Sequence, residues 1–136
     1  MLALLQLIVR KCKQFWAMAP QPQPQLHLQP TQRLQQELDE MRDCAEHLIA
    51  RGLTRPDRLG LMGQSAGGLL VTAAMNARPD LFMAVVADVP FVDPIGTLSD
   101  SALPYTTLDW EEWGNPLVAG EFAVLRSYAP YDNVRP

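Results

Sequence analysis

The sequence predicts an α/β fold, a parallel sheet in which one strand turns abruptly into a helix at a serine. Three observations carry this reading. Residues 59–70, LGLMGQSAGGLL, set a lone serine among small residues between two apolar runs. Residues 84–89, AVVADV, form a second β-rich run, nearly continuous in apolarity as in a parallel strand covered on both faces. Between them, residues 66–77 have the composition of a helix that breaks at Arg78-Pro79, because a residue before proline is pushed out of helical geometry. Strand, helix, strand is the right-handed crossover unit of such a sheet.

The elements follow in order. MLALLQLIVRKCK begins with an apolar run too short to span a bilayer, and its positive charges follow the run, whereas a secretory signal has them first. APQPQPQLHLQP alternates Pro with Gln, which removes backbone donors and favours extended, solvated chain. Residues 1–31 are therefore read as a divergent N-terminal segment and linker, without regular structure over 19–31, and residues 32–136 as the domain. From Leu34 the pattern turns helical, with Leu38, Met41, Ala45, Leu48 and Ile49 at three- and four-residue intervals and Gly52 placed for a left-handed cap. Arg55-Pro56-Asp57 is turn chemistry, and Leu59 to Met62, bounded by Gly63, is a short buried strand.

Composition narrows the function classes. A chain of 136 residues with 48% hydrophobic and 19% charged residues is globular in character. A net charge of −4 without a basic cluster argues against nucleic acid and gives no steering to anionic membranes. Cys12 and Cys44 lack metal-ligand spacing and sit in unlike contexts, so neither a disulfide nor a zinc site is expected, and a reducing cytoplasm fits best. No metal or cofactor is called for.

A strand, then Ser65, then a helix is the context of a nucleophile elbow. Such a turn crowds strand, serine and helix together, which accounts for Gly63, Gly67 and Gly68. The helix start supplies unsatisfied amides, and the N–H of Ala66, next to the serine, is the expected oxyanion donor. The alternatives are a Gly-rich turn without chemistry or a phosphate-binding loop, although the latter calls for a lysine or a GxGxxG spacing that is missing here.

GQSAGGLL, RPDLFMAVVADVPFVD, LPYTTLDWEEWGNP and SYAPYDNV, in that order and spacing, resemble the catalytic domain of the prolyl oligopeptidase family of serine peptidases, most of all its oligopeptidase B branch. The resemblance runs from about Met41 to Pro136 and implies a partial α/β-hydrolase fold, truncated, that acts on oligopeptides by acyl transfer from Ser65. It further implies that Asp109 and Glu111 hold the positions of two glutamates that bind the arginine or lysine on the acyl side of the cleaved bond. Two carboxylates could grip a guanidinium by charge-assisted hydrogen bonds. Without the family, an acidic solvated loop over Trp110 and Trp113 is the alternative. The Pro/Gln stretch replaces the family's Gly-rich strand end and the tyrosine that assists its oxyanion hole.

The same resemblance places the triad acid and histidine after Pro136. His27 and His47 both precede Ser65, against the chain order of these hydrolases, and His47 reads as a solvated helical residue. Among the later acids, Asp88 and Asp132 are out of position and Asp93 reads as a cap. The expectation is a fragment that is inactive alone, degenerated or frameshifted near residue 30, with no propeller domain and with sheet edges left open. A non-catalytic remnant or interaction module, or an esterase of the wider superfamily, are the other readings.

Overall fold

The computed structural model describes residues 30–135. The linker reading falls on residues outside this range, except that Pro30 and Thr31 already belong to the first helix. That helix, α1 (Pro30–Ala50), starts ahead of the apolar periodicity with a proline in its first turn, where a missing N–H costs nothing. Leu34, Leu38 and Ala45 are buried along its inner face. It ends as the sequence predicts: Gly52 takes a φ of 65°, with its N–H on the Ile49 carbonyl and that of Leu53 on the Leu48 carbonyl. Those two bonds satisfy carbonyls that the helix end would otherwise leave unpaired.

A 3₁₀ turn at Pro56–Arg58 leads into β1 (Gly60–Gln64), then α2 (Ala66–Ala77), a second 3₁₀ turn at Pro79–Leu81, and β2 (Ala84–Asp88). The two strands pair in parallel, in register from Gly60 with Ala84 to Gln64 with Asp88. Helix α2 carries the most apolar surface of the crossover and lies against both strands, with Leu69 fully buried. The helix stops at Arg78, whose N–H still reaches the Ala74 carbonyl before Pro79 intervenes.

One expectation is corrected. β2 is covered on one face only among the described residues: Val85 and Ala87 point inward, while Ala84, Val86 and Asp88 are exposed. Met62 and Val86, partners in register, are 51% and 54% exposed, so the outward face is apolar and bare. The continuous apolarity of AVVADV thus exceeds what the described elements cover.

Three further helices complete the layer: α3 (Pro94–Ser99), α4 (Thr106–Trp113) and α5 (Ala119–Tyr128). Asp93 caps α3, its carboxylate accepting from the Gly96 N–H at 2.8 Å, as its sequence context suggests. Leu34, Leu38, Leu69, Leu98, Leu125 and Tyr128 form the main core, drawn from α1, α2, α3 and α5. The SYAPYDNV segment locks this layer. Asn133 donates to the carbonyls of Arg126 and Ala129, and Asn76 of α2 donates to that of Pro130. No helix among the described residues is long and apolar enough to cross a membrane.

Tyr128 is 4% exposed and its buried hydroxyl has no hydrogen-bond partner, so burial pushes the phenol up to about 12. Leaving a phenol unpartnered costs desolvation without a compensating bond. Because the folded-state pKa lies above the unfolded one, the neutral phenol is at its most favourable for folding below pH 10, and stability is lost as pH rises from 10 toward 12, where the unfolded chain ionises first. Tyr128→Phe should therefore keep stability at pH 7 within about 0.5 kcal/mol of the parent or raise it, and should blunt the alkaline loss, both read from urea unfolding across pH. Leu69→Ala, at a fully buried position, should cost about 2–5 kcal/mol in the same measurement.

Candidate active site

The end of β1 has nowhere to continue, since α2 must begin at once to fold back over the sheet. Ser65 makes the turn alone, with φ 54° and ψ −119°, a region that side chains with a Cβ adopt only under constraint. The constraint is visible. The Ser65 N–H donates to the Asp88 carbonyl at 3.1 Å, tying the turn to β2. Its carbonyl accepts from Gly68 at 2.9 Å, Leu69 at 3.3 Å and Phe91 at 3.2 Å, tying it to α2 and to the segment after β2. The Ser65 side chain makes no helix-capping bond, so the hydroxyl is not spent on the helix it precedes.

The small residues divide. A Cβ on Gly63 would run into the Gly67 carbonyl, and a Cβ on Gly68 would lie 2.6 Å from the Pro90 side chain. Both glycines are sterically required. Gly67 is not: a Cβ there meets nothing within 4 Å, which corrects the expectation that all three are needed. The difference is that Gly63 faces the Gly67 carbonyl across the turn and Gly68 faces Pro90 in the segment after β2, whereas Gly67 faces open space.

Beside the elbow lies a cleft of about 410 Å³ at the carboxyl ends of the two strands, where open α/β sheets hold their ligands. Ser65 and Ala66 form one wall. The Ala66 amide is the first of α2, among those with no intrahelical acceptor. Val89, Pro90 and Phe91 form a second wall, and Asp109, Glu112 and Trp113 of α4 the third. Val89 is also strained, with φ 38° on a β-branched residue that is 72% exposed. Phe91 and Trp113 meet edge to face, their ring centroids 5.7 Å apart at 65°.

Thus Ser65, Ala66 and Asp109 come together, while Glu111 does not join them. The segment is a helix and not the loop of the alternative reading, and at 100° per residue Glu111 stands about 200° around the axis from Asp109. Glu112 takes the cleft side instead. Trp110 turns inward, donating its indole N–H to the Leu98 carbonyl at 2.9 Å. Glu37 of α1 is held above the usual carboxylate range, chiefly by partial burial; Glu40 and Glu112 add repulsion against the pull of Arg33.

The other candidates stand apart. His47 lies in the last turn of α1, whose neighbours Ala45 and Ile49 pack on Leu59 before β1 begins. That is the opposite end of the strand from Ser65, on the order of 20 Å away at the usual rise per residue. His27 lies outside the described residues. Asp88 accepts from the Gln64 amide at 3.0 Å, and Asp132 is exposed in the last 3₁₀ turn. The sequence reading missed Val89, Phe91 and Glu112, which two signals mark: the position directly after a parallel strand, and the i, i+3, i+4 spacing of 109, 112 and 113.

A family model described as the prolyl oligopeptidase family matches residues 30–136. Protease 2 of Moraxella lacunata is 47% identical over 91 residues, covering 67% of this chain and 13% of that protein. Dipeptidyl aminopeptidase BI of Pseudoxanthomonas mexicana is 40% identical over 93 residues, covering 68% and 13%. The structure of oligopeptidase B from Trypanosoma brucei with covalently bound antipain superposes with a TM-score of 0.69 at 54% identity, over 71% of this chain and 14% of that one. That of oligopeptidase B from Leishmania major superposes with a TM-score of 0.69 at 48% identity, over 71% and 13%.

The glycine contrast is testable by thermal or urea unfolding. Gly63→Ala and Gly68→Ala should each destabilise by about 2–3 kcal/mol, since backbone must move to admit the methyl group. Gly67→Ala should be neutral or stabilising by up to about 1 kcal/mol, as alanine favours a helix.

Proposed function

The chain belongs to the prolyl oligopeptidase family of serine peptidases, and from that premise we propose that it is part of an endopeptidase catalytic domain that cuts oligopeptides after arginine or lysine. The observation that carries the proposal is Ser65, strained between strand and helix on a cleft it shares with Asp109. The Ser65 hydroxyl oxygen attacks the scissile carbonyl and gives its proton to a base. The Ala66 N–H stabilises the resulting oxyanion. Collapse breaks the carbon–nitrogen bond, the amine leaves with a proton, and water then hydrolyses the acyl ester to regenerate the serine. Asp109 draws the cationic side chain on the acyl side into the cleft. A cytoplasmic setting goes with this reading, because two cysteines in unlike sequence contexts give no disulfide pattern.

The base is the step these residues do not supply. Neither histidine follows Ser65 in the sequence, and His47 belongs to the far end of the sheet. Without a base the hydroxyl is a weak nucleophile at neutral pH. A second reading, a non-catalytic interaction module, is favoured by the bare sheet face around Met62 and Val86, since exposed apolar patches mark interaction sites.

Assayed on arginyl and lysyl peptide amides, the 136-residue chain should accelerate hydrolysis by no more than about 10³- to 10⁴-fold over buffer, the residue left by oxyanion stabilisation and binding alone. A turnover of about 1 s⁻¹ or faster that disappears in Ser65→Ala would mean that a base reaches the serine after all.

A further inference from the structure

We infer that Gln64 and Asp88 form a side-chain clasp that keeps the two strained residues of the cleft, Ser65 and Val89, in place, and that both act as positioning residues for the serine. The inference rests on the nucleophile reading above and adds to it what holds the turn closed. Gln64 and Asp88 are the last residues of β1 and β2 and lie opposite each other in register. Directly after them the backbone takes a positive φ on both strands, 54° at Ser65 and 38° at Val89. Both strained residues line the same cleft. Such backbone persists only where its surroundings over-determine it, and the end of a strand ladder is where it frays most readily.

Asp88 holds this end twice. Its carbonyl accepts from the Ser65 N–H at 3.1 Å, and its carboxylate accepts from the Gln64 side-chain amide at 3.0 Å. A carboxylate only accepts, so the Gln64 amide must turn its nitrogen across the strands. The bond is charge-assisted and bridges the last paired residues, just where the strands give way to strained backbone. Both side chains are exposed and belong to no core cluster. Truncating either one removes the clasp without opening a cavity.

The test uses the whole 136-residue chain, with amide hydrogen exchange followed by NMR. The Ser65 N–H reports the elbow, and the Met83 N–H, held by the Leu59 carbonyl at 2.8 Å at the other end of the sheet, is the control. Gln64→Ala and Asp88→Ala should each speed Ser65 exchange about three- to tenfold, as one exposed charge-assisted bond allows, and leave Met83 within about twofold. The double variant should exchange no faster than either single one, because the same contact is lost in all three. Asp88→Asn keeps an oxygen that accepts from Gln64 and should return Ser65 to within about twofold of the parent. Acylation of Ser65 by an arginyl p-nitrophenyl ester with imidazole supplied should follow the same order, slowed in the alanine variants and retained in Asp88→Asn. Ser65 exchange that Asp88→Ala leaves unchanged, that Asp88→Asn speeds as much, or that rises no more than Met83 exchange would overturn the clasp. Acylation that keeps its parent rate in both alanine variants would overturn the positioning role. If exchange responds as expected but the parent takes no acyl group on Ser65, the nucleophile reading fails and the clasp stands.

Discussion

Everything near the cleft depends on one strained residue. Ser65 holds a positive φ because its amide is tied to β2 and its carbonyl is shared among α2 and the Phe91 amide. Those bonds do more than tolerate the strain. They fix the angle between β1 and α2 and bring the segment after β2 alongside. Gly63 and Gly68 are the clearance that lets the turn close, one against the Gly67 carbonyl and the other against Pro90. Strain of this kind costs on the order of 1–3 kcal/mol and persists only where its surroundings over-determine it. Here the parallel pairing, the helix and the Asp93-capped segment do so.

Much of this was legible in the sequence because its signals are local. Small residues around Ser65, the Arg78-Pro79 break and the Gly52 cap each answer to short-range sterics, and β1, α2 and β2 fall within a residue or two of their expected bounds, whereas α1 begins four residues before Leu34. What was not legible depends on angles between elements. Whether TTLDWEEW is loop or helix decides which of its side chains line the cleft, and charge density alone does not decide it. The role of Gly67 likewise depends on which way a helix start faces, which composition does not encode. The apolar run of β2 suggested cover on both faces, but apolarity reports what a strand suits, while cover depends on which elements are there to provide it.

The imbalance of the fold follows. Helices α1, α2, α3 and α5 share one core, while Met62 and Val86 sit in register on a face that no other described residues cover. The chain spans 13% of the length of the curated relatives compared above, and its matched region holds the strained Ser65 turn and the cleft beside it. The components that sharpen a serine into an enzyme nucleophile, a base and the acid that orients it, are chemically separable from the turn that presents it. The elbow is set by backbone bonds and steric clearance, and none of those involves a histidine.

The separation can be measured by supplying the base from solution. Incubated with an arginyl p-nitrophenyl ester and excess imidazole, the 136-residue chain should acquire a single acyl group located on Ser65 by peptide mass spectrometry. The adduct should be absent in Ser65→Ala and much reduced without imidazole, if Ser65 is the nucleophile and the Ala66 amide its oxyanion donor as proposed. Acylation scattered over other hydroxyls and lysines at the same level in parent and Ser65→Ala would contradict the account, because it would mean that the strained turn confers no reactivity on its serine.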